Sequence, residues 1–223
     1  MDGNGRWAKA RGVPRLMGHR AGRDSVRDVI RACDDVGVEV LTLYTFSVEN
    51  WQRPAREVDA LMTILRQTLR AERRELKDHN VRLQVIGRAD ELPASVRREI
   101  ASTQEYLAQS TGMLLNLALS YGGRAEIVDG VRRMLEDAKE RRLDPAAVDE
   151  ALFSTYLYTV GLPDPDLLIR TSGEMRLSNF LLWQLAYTEL WITDTLWPDF
   201  RRKHLFQAIA EFQSRERRFG RSD

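Results

Sequence analysis

The residues best equipped for chemistry stand at the start of the chain: Asp2, Gly3, Asn4, Gly5, Arg6 and Trp7. Gly3 and Gly5 let the backbone turn successive N–H groups toward one point, which suits an anion. Arg15 and His19 follow in the segment Arg15–Gly22, where an amphipathic run reads as the opening of a helix. Amides converging ahead of a helix N-terminus, with Arg6, Arg15 and His19 nearby, suit a phosphate or diphosphate. Asp2 conflicts with that, since a carboxylate repels a polyanion. A divalent metal removes the conflict, because Mg²⁺ is held by one or two carboxylates together with substrate phosphates. The local reading is a metal–diphosphate site. An EF-hand loop begins similarly, but Arg6 fills its fifth position and Val13 stands where the bidentate Glu belongs. A Gly-rich turn ahead of a helix is the competing reading, and these residues alone do not decide between the two.

A second set of anion-binding types lies at Arg170–Ser178, where Arg170 and Arg176 flank Gly173 among three hydroxyls, Thr171, Ser172 and Ser178. Two guanidiniums can hold a phosphate by bidentate bonds; the plainer reading is a loop salt-bridged to Asp and Glu. Arg53 closes the polar segment Ser47–Arg53 and could share that phosphate. Asn50 in that segment reads as a loop-fixing amide and Trp51 as packing. Glu189 is most simply a surface charge; with Asp2 it could instead complete a metal environment.

These residues need elements to hold them. Val26, Val29, Ile30, Cys33 and Val36 recur at helical spacing up to Gly37, and Val38–Phe46 reads as a strand buried on both faces. Pro54 leads into a helix with Val58, Leu61, Met62, Leu65 and Leu69 on one side. Strands are expected at Val81–Gly87, Met113–Ser120 and Asp166–Arg170, and helices at Pro93–Ser110, near 147–157 and from about 202 to 217. Another helix after Tyr121–Arg124 should carry Ile127, Val131, Met134, Leu135 and Ala138 on its core side. Phe180–Trp191 reads as an apolar block. Alternating strand and helix predicts an α/β fold with a mostly parallel central sheet flanked by helices, in one domain spanning 1–223. Ligands of such sheets sit beyond the carboxyl ends of the strands, where the polar loops of this chain fall.

Composition excludes some classes. With 30% charged residues and a formal net charge of +1, the chain offers no extended basic face for nucleic acid, despite Arg215, Arg217 and Arg218. No apolar run reaches the ~20 residues of a membrane span, no signal peptide is visible, and the expectation is a soluble cytoplasmic protein. Cys33, the single cysteine, forms no intramolecular disulfide and sits on an apolar helical stripe as a core thiol.

Seven stretches together resemble the cis-prenyltransferase family, whose bacterial representative is undecaprenyl diphosphate synthase: DGNGRWA, RLMGHRAG, TFSVENWQRP, SYGGR, IRTSGEMRLSNFLLWQLAYTEL, WPDF and RERRFG, in family order over essentially the whole chain. The resemblance implies head-to-tail condensation of an allylic diphosphate, farnesyl diphosphate by expectation, with isopentenyl diphosphate, each new double bond being cis. The product would be a polyprenyl diphosphate such as undecaprenyl diphosphate, a lipid-carrier precursor for cell-wall synthesis. It implies Mg²⁺ as cofactor, with Asp2 and Glu189 at metal-binding positions. Gly3, Asn4, Gly5, Arg6, Arg15 and His19 match the allylic diphosphate site. Trp7, Ser47, Val48 and Glu49 would border the reacting carbons, and Trp51 the chain entrance. Arg53, Arg170, Arg176, Leu177 and Ser178 match the isopentenyl diphosphate site. Asn50 matches a residue assigned as proton acceptor; an amide is a very weak base, and orienting the true base is the physically easier task.

The same resemblance implies a homodimer, with Arg218–Phe219–Gly220 reaching the partner, and delivery of a long-chain product to the membrane, peripherally. Met175 departs from the family pattern, since many relatives carry His there; a thioether is a poor ligand for hard Mg²⁺. Met113 is bulky enough to shape a tunnel floor. Relatives have an apolar strand running directly into the Asp-Gly-Asn segment. Losing about five buried aliphatic side chains at ~1.5–3 kcal/mol each would exceed a domain's usual margin, so the natural protein is expected to begin upstream of Met1. The rival from another class is a non-catalytic accessory subunit, which the family also contains. Such proteins typically lose the acidic and arginine positions that are present here.

Overall fold

Every residue of the strand Leu114–Tyr121 (β3) is buried, and this strand organises the fold in a computed structural model that describes residues 1–215. Its near-continuous apolar sequence fits a strand covered on both faces. It pairs in parallel with Val40–Ser47 (β1) on one side and Arg82–Ile86 (β2) on the other. Side chains alternate across it as far as Leu119, and the positive φ of Ser120 breaks the alternation ahead of Tyr121. Leu115, Leu117 and Leu119 enter one core with Val29, Ile30 and Cys33, while Ala118 and Tyr121 enter a second with Phe180, Leu181 and Leu185. Leu167–Arg170 (β4) and Glu189–Ile192 (β5) form a separate parallel pair.

The helices are Asn4–Ala10 (α1), Arg15–Asp35 (α2), Ala55–Asp78 (α3), Ala94–Tyr106 (α4), Gly123–Lys139 (α5), Glu150–Ser154 (α6) and Arg202–Gln213 (α7). A 3₁₀ turn at Val48–Gln52 joins β1 to α3. None of the helices among the described residues is long and apolar enough to cross a membrane. The segment Arg218–Phe219–Gly220 lies outside the described residues.

Three expectations need correction. The Asp-Gly-Asn-Gly-Arg segment is not an open loop: from Asn4 onward it is helix α1, with Gly3 as N-cap at φ +101° and the Trp7 N–H donating to the Gly3 carbonyl at 2.8 Å. Tertiary contact overrides the weak helix propensity of Asn and Gly. Two glycines on α2 make that contact possible, because a Cβ on Gly18 would lie 2.0 Å from the Asn4 carbonyl oxygen and one on Gly22 2.7 Å from Asn4 Oδ1. The apolar block Phe180–Trp191 conceals β5, since no turn residue marks where a strand starts. On α5, Val131 and Leu135 face solvent while Gly123, Glu126, Gly130 and Met134 are buried. The helix packs through glycines, and Gly130 lies so close to the chain at Tyr156 that a Cβ would be 3.2 Å from its carbonyl oxygen.

β1 and β4 both line a cavity of about 1140 Å³ that also takes walls from α2, α3 and α7. Its deeper lining is apolar, with Val29, Ile30, Leu65, Leu69, Leu115 and Leu117.

Candidate active site

Asp2 is fixed at the cavity mouth by its own backbone. Its N–H donates to Thr171 Oγ1 at 2.9 Å, while its carbonyl accepts from the Thr171 hydroxyl at 2.8 Å and the Trp197 N–H at 2.9 Å. The carboxylate is left for other work: Oδ1 accepts from the Gly3 N–H at 2.7 Å, and Oδ2 from Arg170 Nη2 at 3.1 Å. Burial pushes this carboxyl up, but the Gly3 amide, Arg170 and Arg6 outweigh it and hold it below its ordinary range. Gly3 is required where it stands, because a Cβ would lie 2.2 Å from Ser172 Oγ in addition to the strained φ.

Arg170 extends from the C-terminal end of β4 and organises the loop after it. Its Nη1 donates to Ser178 Oγ at 2.9 Å and to the Arg176 carbonyl, while its buried Nε has no protein partner. Ser172, Gly173 and Ser178 all take positive φ in this loop. Glu174 pairs with Arg6 at 3.0 Å and with Arg176, so the two guanidiniums share one acid. Met175, between Glu174 and Arg176, is 84% exposed.

A second cationic grouping faces the same cavity. Arg15, at the start of α2, and Arg53, after the 3₁₀ turn, both contact Glu57, at 3.3 and 3.1 Å. His19 lies one turn along α2 from Arg15. Burial first, then the Arg53 and Arg15 charges, lower its pKa to about 4, so the imidazole is neutral at ordinary pH. Its Nε2 is buried without a protein partner.

The loop after β1 is tied by its own side chains. Asn50 Oδ1 accepts the Ser47 N–H at 3.2 Å, Val48 packs on Gly122, and Glu49 accepts from Asn179 Nδ2 at 2.8 Å. Trp51 Nε1 donates to Ser120 Oγ at 2.8 Å, and Ser120 in turn donates to Glu91 at 2.5 Å. In this conformation Asn50 fixes its own loop through that amide oxygen.

Asp2, Gly3, Asn4, Gly5, Arg15, His19, Ser47, Asn50, Arg53, Arg170, Arg176, Leu177 and Ser178 all line the one cavity. Arg6, Trp7, Val48, Glu49 and Trp51 do not. The Trp7 indole instead donates to Asp199 at 2.8 Å beneath the Arg11 guanidinium. Glu189 is not brought to Asp2. It stands at the other end of the β4–β5 pair, opposite Leu167, and pairs with Arg215 at 2.7 Å. No cluster of three His, Cys, Asp or Glu suited to a metal occurs among the described residues. Sequence reasoning passed over Glu57, and it read Thr171 as an anion-binding hydroxyl where the structure has it holding the Asp2 backbone. Glu57 sits four residues after Arg53, a spacing that brings side chains together at a helix start.

A mouth carrying Arg15, Arg53, Arg170 and Arg176 beside the ionised Asp2 carboxylate, opening on a largely apolar cavity, has the chemistry to take an anionic head joined to a hydrocarbon. Comparison with known proteins agrees. The family model described as "Putative undecaprenyl diphosphate synthase" matches residues 1–220. The chain is 54% identical over 220 residues to an isoprenyl transferase of Heliobacterium mobile, covering 99% of this chain and 85% of that protein. It is 52% identical to the isoprenyl transferase of Geobacillus kaustophilus, with 99% and 86% covered. Among solved structures, the lavandulyl diphosphate synthase of Lavandula x intermedia, in complex with dimethylallyl diphosphate, superposes with a TM-score of 0.96 at 37% identity, covering 99% of this chain and 95% of that one. A probable undecaprenyl diphosphate synthase from Campylobacter jejuni gives 0.80 at 33% identity, covering 91% and 93%.

Proposed function

The chain belongs to the undecaprenyl diphosphate synthase family of isoprenyl transferases, and from that premise we propose that it condenses isopentenyl diphosphate with an allylic diphosphate, farnesyl diphosphate, into a cis-polyprenyl diphosphate. Undecaprenyl diphosphate, a lipid-carrier precursor for cell-wall synthesis, is the product proposed. The observation that carries this reading is the pairing of two arginine groupings with a single apolar cavity. Two anionic heads can be held at the mouth while a growing hydrocarbon enters the interior. The dimethylallyl diphosphate in the lavandulyl diphosphate synthase structure supports an allylic diphosphate as one substrate.

In this mechanism Gly3, Asn4, Gly5, Arg6, Arg15 and His19 hold the allylic diphosphate, and Arg53, Arg170, Arg176 and Ser178 the isopentenyl diphosphate. Holding both reactants removes much of the entropic barrier to their collision. The arginines stabilise charge gathering on the departing diphosphate as the allylic C–O bond ionises. The isopentenyl double bond attacks the cation, and a proton leaves to restore a double bond, with Asn50 orienting the group that takes it. The apolar walls exclude water that would quench the cation.

Asp2 fits a role in holding Mg²⁺. It is ionised, offers hard oxygen at the mouth, and Mg²⁺ needs only one or two protein carboxylates when phosphates complete its shell. When bound there, the ion neutralises diphosphate charge. Glu189 does not join Asp2 within one chain. A homodimer, a cytoplasmic location and peripheral contact with the membrane at product release belong to the same proposal.

The test is incubation with farnesyl and isopentenyl diphosphates with and without Mg²⁺, product sizes being read by mass spectrometry. Products longer by whole five-carbon units, lost on chelation, are expected. No elongation under any condition would leave the accessory-subunit reading standing.

A further inference from the structure

Arg15 and Arg53 belong to different substrate sites in the proposed function, yet both side chains end on the same atom. Glu57 Oε1 takes Arg15 Nε at 3.3 Å and Arg53 Nη1 at 3.1 Å. The three residues come from three places in the fold: the start of α2, the residue after the 3₁₀ turn, and the first turn of α3. Arg15, Arg53 and the intervening His19 all line the cavity; Glu57 does not. Its side chain is also the least exposed of the trio, at 17% against 55% for Arg15 and 29% for Arg53. The carboxylate thus sits behind the cations rather than among the groups a substrate would meet.

Two guanidiniums brought to one point repel each other, and His19, held neutral, adds no further positive charge. The carboxylate between them offsets that repulsion and sets where each guanidinium points. Arg15 is confined on its other side by α1, since a Cβ on Gly5 would lie 3.3 Å from Arg15 Nε. Without Glu57 the two arginines would separate, and both sites would lose their aim together.

We infer that Glu57 is a positioning residue shared by the two diphosphate sites, coupling Arg15 of one to Arg53 of the other through a single carboxylate oxygen. This rests on the two-site reading above. It makes a pattern that neither arginine alone can produce.

The experiment measures KM for each substrate, kcat and melting temperature in Arg15→Ala, Arg53→Ala, Glu57→Gln and the double variant Arg15→Ala/Glu57→Gln. Gln keeps the size of the side chain and an oxygen acceptor while removing the charge. Arg15→Ala should raise chiefly the allylic KM, and Arg53→Ala chiefly the isopentenyl KM. Glu57→Gln should raise both, about three- to tenfold for a partly exposed pair, with kcat within about twofold because no reacting atom is touched. In the double variant the allylic KM should equal that of Arg15→Ala alone, since the carboxylate acts through that arginine. If Glu57→Gln fails to fold, Glu57→Asp, which keeps the charge on a shorter arm, is read in the same cycle. A rise in only one KM, no rise in either, or full additivity in the double variant would overturn the inference. Failure of the two arginine variants to divide between the substrates would overturn the two-site reading instead.

Discussion

Arg88 meets Asp129 through two nitrogens, at 2.8 and 3.0 Å, and the Tyr158 hydroxyl closes on the same carboxylate at 2.5 Å. Arg170 meets Asp2 through one nitrogen, at 3.1 Å, and leaves its buried Nε without a protein partner. The chemistry of the two pairs is the same, but their completeness differs. On α5 the carboxylate is saturated, and the Arg88 fork, outweighing burial with help from Tyr158, holds the Asp129 carboxyl below its ordinary range. At the cavity mouth each acid engages its arginine at single points, so N–H groups remain for an incoming anion. A saturated pair holds the fold, whereas an open pair can exchange partners.

The sharpest way to break this contrast is to truncate one member on each side. Arg170→Ala should lower kcat/KM by about 10²–10³-fold, the usual loss for one preorganised donor to developing negative charge, with little change in urea midpoint. Asp129→Asn should do the reverse, costing about 2 kcal/mol of stability by urea denaturation while turnover below the new transition stays within about twofold. Reversed outcomes would end the distinction between open and saturated pairs. Arg176, more exposed and held by Glu174, tests the boundary of the open group. Arg176→Ala should raise the KM for isopentenyl diphosphate about tenfold, some 1.4 kcal/mol, and the allylic KM far less. Equal rises would merge the two sites.

The smallest effect concerns His19. Burial, Arg53 and Arg15 depress its pKa from 6.5 to about 4, so the unfolded chain binds the extra proton between those values. Stability should therefore fall as pH drops from 6.5 toward 4 and level off below. The share owed to His19, discounted for solvent screening, is about 1 kcal/mol. It is measured as the difference in slope against His19→Gln. Identical slopes would show that the arginines exert no such field.

The alternation of strand and helix was legible because β1 and β3 are nearly unbroken apolar runs, and both fall within two residues of expectation. Arg53, Arg170 and Arg176 were legible by type and by their place at or after strand ends, and Arg15 by its place at the opening of an expected helix. What escaped has physical causes. Helix α1 forms because α2 presents glycines at the right places, a fact of two segments at once. The α5 face was misread because Gly123 and Gly130 carry no apolar signal although they make the contact. Glu57 was passed over because an acid in a first helical turn looks like an ordinary dipole-complementing charge. Only the arrival of Arg15 from another helix gives it a second meaning.

The seat that Gly18 and Gly22 offer to Asn4 bears on how variants of this protein should be interpreted. Gly18 does not line the cavity, yet any side chain there would push α1 outward and carry the Asp2 carboxylate with it. In a library scored for growth or turnover, lesions at these two α2 positions would therefore cluster with those at Asp2 and Arg170. Sorting the same library by retained fold would separate them. A map of intolerant positions would then show a hidden footing beneath the site, one helical turn long, alongside the groups that meet the substrate.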